Sequence, residues 1–87
     1  MTDTLFARAV DAPDLPIGQA IELLRIPTGM SARALSLKAG LSESYVGKVE
    51  KGEIEPSLKT FASIARVLGL SPREINILVV RAGKKLV

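Results

Sequence analysis

Glycine and serine recur along this sequence at short intervals, and their spacing constrains the fold more than any other feature. A glycine stands at each place where a helix is expected to end, and a serine opens most of the apolar helical patterns that follow. The glycines are Gly29, Gly40, Gly52, Gly69 and Gly83, and the serines are Ser31, Ser42, Ser57 and Ser71. This punctuation predicts an all-α protein with five short helices, near residues 17–27, 32–39, 43–51, 58–68 and 72–82.

The two ends of the chain are less regular than its middle. The apolar residues among 4–10 predict one amphipathic turn, and two prolines follow among residues 11–16. We therefore expect residues 1–16 to be an N-terminal arm or a short extra helix with a linker. The five-helix domain is expected over residues 17–83, and residues 84–87 form a basic and apolar C-terminal tail.

The composition argues against several classes of protein. The 87 residues include no Cys and no His, so thiolate and imidazole ligands and the usual general base are missing. We expect no enzyme activity, no cofactor and no metal site. The net charge of +3 and the pI of about 9.6 are compatible with an anionic partner. The longest apolar run, residues 77–80, is too short to span a bilayer, and no signal peptide opens the chain. These features predict a soluble cytoplasmic protein without membrane contact.

Two of the predicted helices are separated only by Gly40-Leu41-Ser42. Two helices joined by a short turn that contains glycine are typical of the DNA-binding helix-turn-helix. Gly40 can adopt the left-handed backbone that a sharp turn requires. Ser36 and Ala39 are small enough to let the two helices pack closely.

At these residues the chain resembles the Cro/repressor-type helix-turn-helix family. The matching residues are Ile17-Gly18, Ile21, Arg25, Leu35, Gly40-Leu41-Ser42, Tyr45-Val46, Val49-Glu50-Lys51-Gly52, Pro56-Ser57, Ile64-Ala65 and Leu68-Gly69-Leu70. The resemblance covers about residues 17–80 and implies a lambda-repressor-like fold. It also implies that residues 32–39 and 43–51 are the two helices of the motif, and that 43–51 is the recognition helix in the major groove.

The resemblance implies base contacts from Glu43, Ser44 and Lys48, carried over by position. Their chemistry suits base edges, because Lys bonds guanine acceptors, Glu accepts from the cytosine amino group, and Ser can do either. The alternative is that all three are ordinary solvated side chains, since every surface helix has a polar face. Phosphate contacts are expected from around this helix, with plain surface charge as the alternative; the candidates are Arg33, Lys51, Ser57 and Lys59.

Two charged residues continue apolar stripes. Arg25 lies four residues after Ile21 in the first helix, and Glu50 follows Val49 on the inner side of the third. An unpaired buried charge is costly, whereas two opposite charges can satisfy each other. The resemblance also implies an internal ion pair at these positions. We expect Arg25 and Glu50 to form a structural ion pair rather than two independent surface charges.

The last helix has more apolar residues than one face needs. The spacing predicts a core-facing stripe of Ile75, Leu78, Val79 and Ala82, which leaves Ile77 and Val80 on another side. A second apolar face on a terminal helix favours a homodimer interface. The alternative is that the N-terminal segment of the same chain covers this face. A two-fold dimer would present two recognition helices to a palindromic operator.

These observations predict a sequence-specific double-stranded DNA-binding transcriptional regulator that acts as a repressor. The alternative is a protein–protein adaptor or an antitoxin-like switch protein on the same fold, controlled by a regulatory protein partner. The weak basic excess and the acidic residues Glu53 and Glu55 favour this alternative. A palindrome enriched from random duplexes would favour the regulator, and flat recovery would favour the adaptor.

Overall fold

The computed structural model describes residues 16–81, and within that range the chain forms five α-helices and no strand. The helices are α1 (Ile17–Arg25), α2 (Ala32–Lys38), α3 (Tyr45–Glu50), α4 (Leu58–Val67) and α5 (Pro72–Arg81). A 3-10 turn, Ile26–Thr28, follows α1. The predicted all-α, five-helix fold is confirmed. The predicted N-terminal arm and C-terminal tail lie outside the described residues.

Serine side chains begin three of the helices as the sequence predicts. Ser31 Oγ and Ser57 Oγ each accept a hydrogen bond from the backbone N–H three residues later, at 3.0 and 3.2 Å. At α5 the bonding is reciprocal, since Ser71 N–H donates to Glu74 Oε1 at 2.8 Å and Glu74 N–H donates to Ser71 Oγ at 3.2 Å. This reciprocal bonding is a capping box.

The first helix ends two residues before the predicted position. Its last α-helical residue is Arg25, and the chain then tightens into the 3-10 turn that contains Pro27. Proline has no N–H to donate to the carbonyl of Leu23, so the α-helical bonding cannot continue through it.

The prediction that the recognition helix begins at residue 43, capped by Ser42, is wrong. The helix begins at Tyr45, and its N-cap is Ser44. The N–H of Tyr45 bonds to the carbonyl of Ser42 at 3.1 Å, which closes a separate turn. Regular α-helical bonding starts only with Lys48 N–H to the Ser44 carbonyl, at 3.1 Å. Glu43 and Ser44 therefore precede α3 instead of forming its first turn.

All five helices contribute buried apolar side chains to one core. These are Ile21 and Leu24 of α1, Leu35 of α2, Val46 and Val49 of α3, Phe61 and Ile64 of α4, and Ile75, Leu78 and Val79 of α5. α3 packs against both α1 and α2, while α4 joins α2 to α5. The short α3 is thus held by two neighbours at once, which fixes its direction relative to the rest of the molecule.

Candidate nucleic-acid interface

The turn between α2 and α3 closes on Gly40. This residue has φ of 78°, in the left-handed region that glycine occupies without strain. The N–H of Leu41 donates to the carbonyl of Ser36 at 2.9 Å, and the N–H of Gly40 donates to the carbonyl of Leu37 at 3.1 Å. This pair of bonds is a Schellman motif, and it redirects the chain so that α3 returns across α2.

Ser36 makes a second connection across this turn, through its side chain. The residue has 0% exposure, and its Oγ accepts a hydrogen bond from the Val46 N–H at 2.9 Å. The same hydroxyl donates to the carbonyl of Ala32 at 2.8 Å. The small size of Ser36 was the only property that the sequence indicated, and this link was not predicted. The available signal was a polar residue beside Leu35, on the inner face of a helix.

Gly18 sets the distance between α1 and α3. A Cβ atom built on Gly18 would overlap the carbonyl oxygen of Val49 and would lie 3.1 Å from the Cα of Glu50. Only a residue without a side chain allows the two backbones to come this close. The only signal in the sequence was a glycine in the first turn of an amphipathic helix, which did not predict this close approach.

Arg25 and Glu50 meet between α1 and the end of α3. Arg25 Nε donates to Glu50 Oε2 at 2.7 Å, and Nη2 donates to Oε1 at 3.1 Å. Nη1 donates to the carbonyl of Met30 at 2.8 Å, so one guanidinium joins three segments of the chain. The side chains are only 15% and 8% exposed. The hydrogen bond to Glu50 raises the pKa of Arg25 above its ordinary value, although burial opposes the charge.

The outer face of α3 carries polar side chains, while its inner face is buried. Val46 and Val49 are in the core, whereas Ser44, Lys48 and Lys51 are exposed. Ser44 and Lys48 are four residues apart and share one side of the helix. Within the described part of the chain, the Ser44 hydroxyl makes no cap hydrogen bond.

Glu43 and Arg33 contact each other at one edge of this face. Arg33 Nε donates to Glu43 Oε2 at 3.1 Å, and the side chains are 68% and 63% exposed. The structure therefore pairs a residue predicted to contact bases with one predicted to contact phosphates. A partner on DNA would have to compete with this exposed ion pair.

The other residues predicted to contact phosphates are all exposed, but they differ in the hydrogen bonds that their side chains make. Lys51 and Lys59 are exposed. Ser57 is exposed too, but its hydroxyl accepts from the Thr60 N–H and donates to Thr60 Oγ1 at 3.0 Å. Ser57 is thus already engaged in beginning α4.

The predicted dimer residues lie on the outer side of α5. Val80 is 67% exposed, and Ile77 is half-buried. The other large apolar side chains classed as exposed in residues 16–81 are Ile26 and Leu37. Val80 is therefore the more accessible of the two predicted interface residues.

Residues 16–81 contain neither a candidate metal site nor a membrane-spanning helix. No group of three or more acidic residues in that range could hold a metal ion. No helix there combines the length and the apolar character needed to cross a membrane.

A family model described as helix-turn-helix matches residues 21–75 of the chain. The chain belongs to the Cro/repressor-type helix-turn-helix family. The matched residues run from the middle of α1 to the first turn of α5, so they include α2, the turn and α3. The predicted family is confirmed.

Two curated relatives show what this helix-turn-helix protein is similar to. It is 36% identical over 70 residues to a protein named Uncharacterized HTH-type transcriptional regulator y4dL, from Sinorhizobium fredii, an alignment that covers 80% of the chain and 32% of the relative. It is 34% identical over 56 residues to the Immunity repressor protein of Bacillus phage phi105, covering 64% of the chain and 39% of the relative. The aligned region thus spans less than two fifths of each relative's length. No solved structure gives a significant match.

Proposed function

We propose that this chain is a sequence-specific double-stranded DNA-binding transcriptional regulator that places α3 in the major groove. One observation carries the proposal: the inner side of α3 is fixed by Val46, Val49 and Glu50, while its outer side presents Ser44 and Lys48 to solvent. A helix whose inner side is fixed by packing can present its outward donors and acceptors to base edges in one constant arrangement. The names of the two relatives, a transcriptional regulator and a repressor, support the same function.

The side chains before and along α3 suit different partners on DNA. Lys48 can donate to the guanine O6 and N7 acceptors, and the Ser44 hydroxyl can bond to either type of edge group. Glu43 can accept from a cytosine amino group, but its charge repels phosphates. The exposed cations Arg33, Lys51 and Lys59 are proposed to bind phosphates, with Ser57 contributing at the start of α4.

The regulator is proposed to act as a repressor, by occupying an operator as a homodimer joined through Ile77 and Val80 of α5. The phage relative's name supports the repressor role. Two-fold symmetry then requires a palindromic operator, with half-sites about 34–36 Å apart, one turn of DNA. Binding to the operator in the cytoplasm would suffice for repression, with no catalysis. A regulatory protein partner could release the repressor from the operator.

The proposal is tested by selecting binding sites from a pool of random duplexes. The purified chain should enrich a palindrome, and its affinity for that duplex should exceed its affinity for a scrambled one at the same salt concentration. Lys48→Ala serves as the matched variant, because it removes one outward side chain without touching the core. Recovery of no preferred sequence by the folded wild-type protein would contradict the proposal.

Flat recovery would instead favour a protein–protein adaptor or antitoxin-like switch protein. The observation that favours this second candidate is the exposure of Ile26 and Leu37, two large apolar side chains away from α5. Cross-linking of a partner at these positions, lost in Leu37→Glu, would support it.

A further inference from the structure

The recognition helix α3 is not capped by the side chain of its own N-cap residue, whereas α2 and α4 are. The first N–H groups of any α-helix have no partner within the helix and need an acceptor from elsewhere. Ser31 and Ser57 supply that acceptor for their own helices from an extended backbone, with ψ of 162° and 164°. Ser44, the N-cap of α3, has φ of −96° and ψ of −2°, and within residues 16–81 its side chain caps nothing. Its backbone does not have the extended conformation from which a side chain usually caps.

The missing acceptor comes from the preceding helix. The N–H of Val46, the second residue of α3, bonds to the Oγ of Ser36 in α2 at 2.9 Å. A conventional N-cap side chain bonds to this second N–H or to the third. The N–H of Tyr45 is satisfied separately, by the carbonyl of Ser42. Ser36 therefore takes the role that the N-cap side chain plays elsewhere, although it lies ten residues before Val46.

We infer that Ser36 is a positioning residue that caps the recognition helix across the turn, and that this arrangement leaves the Ser44 hydroxyl available for DNA. Ser36 also accepts the Leu41 N–H on its backbone carbonyl, so one residue fixes both the turn and the start of α3. In α2 and α4 the N-cap serine hydroxyl bonds to its own helix. In α3 the buried Ser36 caps and the exposed Ser44 does not. The second half of the inference rests on the proposed function; the first half does not.

The cap is tested by amide hydrogen exchange, followed residue by residue. In the wild type, the Val46 N–H should be protected to the same degree as core amides. Ser36→Ala should accelerate exchange at Val46 about tenfold more than at the core residue Leu35, because only Val46 loses its acceptor. Ser36→Thr keeps the hydroxyl and should keep this local protection even if the added methyl lowers global stability.

The matched control is Ser63→Ala in α4. The Ser63 hydroxyl donates to a carbonyl four residues earlier, at 3.2 Å, as the Ser36 hydroxyl does. No cross-helix N–H bonds to it among the described residues, so its loss should leave the relative protection of Val46 unchanged. Equal acceleration at Val46 and Leu35 in Ser36→Ala would overturn the cap. Fast exchange of Val46 in the wild type would do so without any variant.

The consequence for DNA is measured on the same proteins, with affinities corrected for the folded fraction. Ser36→Ala should lower the ratio of operator to scrambled-duplex affinity about tenfold, and Ser63→Ala should not. An unchanged ratio in Ser36→Ala would overturn the positioning role. If the wild type prefers no duplex at all, the proposed function fails, while the exchange comparison still decides whether Ser36 caps α3.

Discussion

Gly18 of α1 and Val49 of α3 touch through their backbones, with no space for a side chain between them. A Cβ atom on Gly18 would overlap the Val49 carbonyl oxygen and would lie 2.9 Å from the carbonyl carbon. Because these are backbone atoms, no rotamer change can relieve the overlap. We expect Gly18→Ala to push α1 away from α3 and to lower the free energy of unfolding by about 1–3 kcal/mol, measured by urea denaturation.

Gly47 provides the matched control for Gly18. It also lies inside a helix, but no atom of the described residues outside its immediate surroundings comes within 4 Å of a Cβ built on it. Gly47→Ala should therefore raise the free energy of unfolding, by about 0.5–1 kcal/mol, because alanine favours the helix. If the two substitutions change stability in the same direction, close packing is not the reason for glycine at position 18.

Removing either partner of the Arg25–Glu50 pair should destabilise the protein strongly. Glu50→Ala leaves a largely buried guanidinium without its carboxylate, which typically costs about 3–5 kcal/mol. Denaturant melts measure the loss. Glu43→Ala is the control, because it breaks the exposed pair with Arg33 and should cost about 0–1 kcal/mol. Similar small losses in both variants would contradict the structural role of the Arg25–Glu50 pair.

Lys48→Ala should weaken operator binding by about 1–3 kcal/mol and relax the preference at one position of each half-site. The physical reason is the loss of the donor on the outer face of α3 that is proposed to bond guanine acceptors. Fluorescence anisotropy on duplexes substituted one base pair at a time provides the measurement. A uniform loss on every duplex, with a shallower salt dependence, would instead assign Lys48 to a phosphate.

Glu43→Gln should raise affinity for scrambled duplexes and reduce discrimination. The substitution removes a charge that repels phosphates and also frees Arg33 from its ion pair. Titrations at several salt concentrations measure both effects.

Glu53→Gln, which removes the same charge from the loop after α3, is the control and should change discrimination less. In the double variant with Arg33→Ala, the gain should shrink; a full gain there would show that Arg33 plays no part.

Val80→Glu should convert a dimer into monomers and weaken operator binding. A charge at this exposed apolar position of α5 would have to be desolvated in the proposed interface. Sedimentation equilibrium measures the association state. Ile26→Glu places the same charge at a position 61% exposed but outside α5, and should leave the dimer intact. A monomeric wild type at high micromolar concentration would refute the interface.

The sequence predicted those parts of the fold that depend on local chemistry. The glycines and the serines marked helix ends and starts, because each signal depends on residues within one turn. The apolar stripes also placed Arg25 and Glu50 on inner faces. That level of inference needs only helical periodicity.

The features that were missed depend on distances between helices. Nothing local indicates that Ser36 Oγ lies 2.9 Å from the Val46 N–H, or that Gly18 touches Val49. The same contact lies at the start of α3, which the sequence placed two residues too early. Local preference favoured Ser42 as the N-cap, but an acceptor from α2 already satisfies the N–H of Val46, so the helix can begin at Tyr45.

The residues that hold α3 and the residues that face outward from it are separate sets. Val46, Val49 and Glu50 anchor the helix, whereas Ser44 and Lys48 contribute nothing to the core. Substitutions on the outer face can therefore accumulate without loss of the scaffold, and under the proposed function a few codon changes would give a descendant a new target. For the same reason, outer-face residues transferred from other proteins should be tolerated by this scaffold without loss of folding. The outer face of α3 is thus exchangeable, whereas its inner residues and the helices that hold them have to be inherited together.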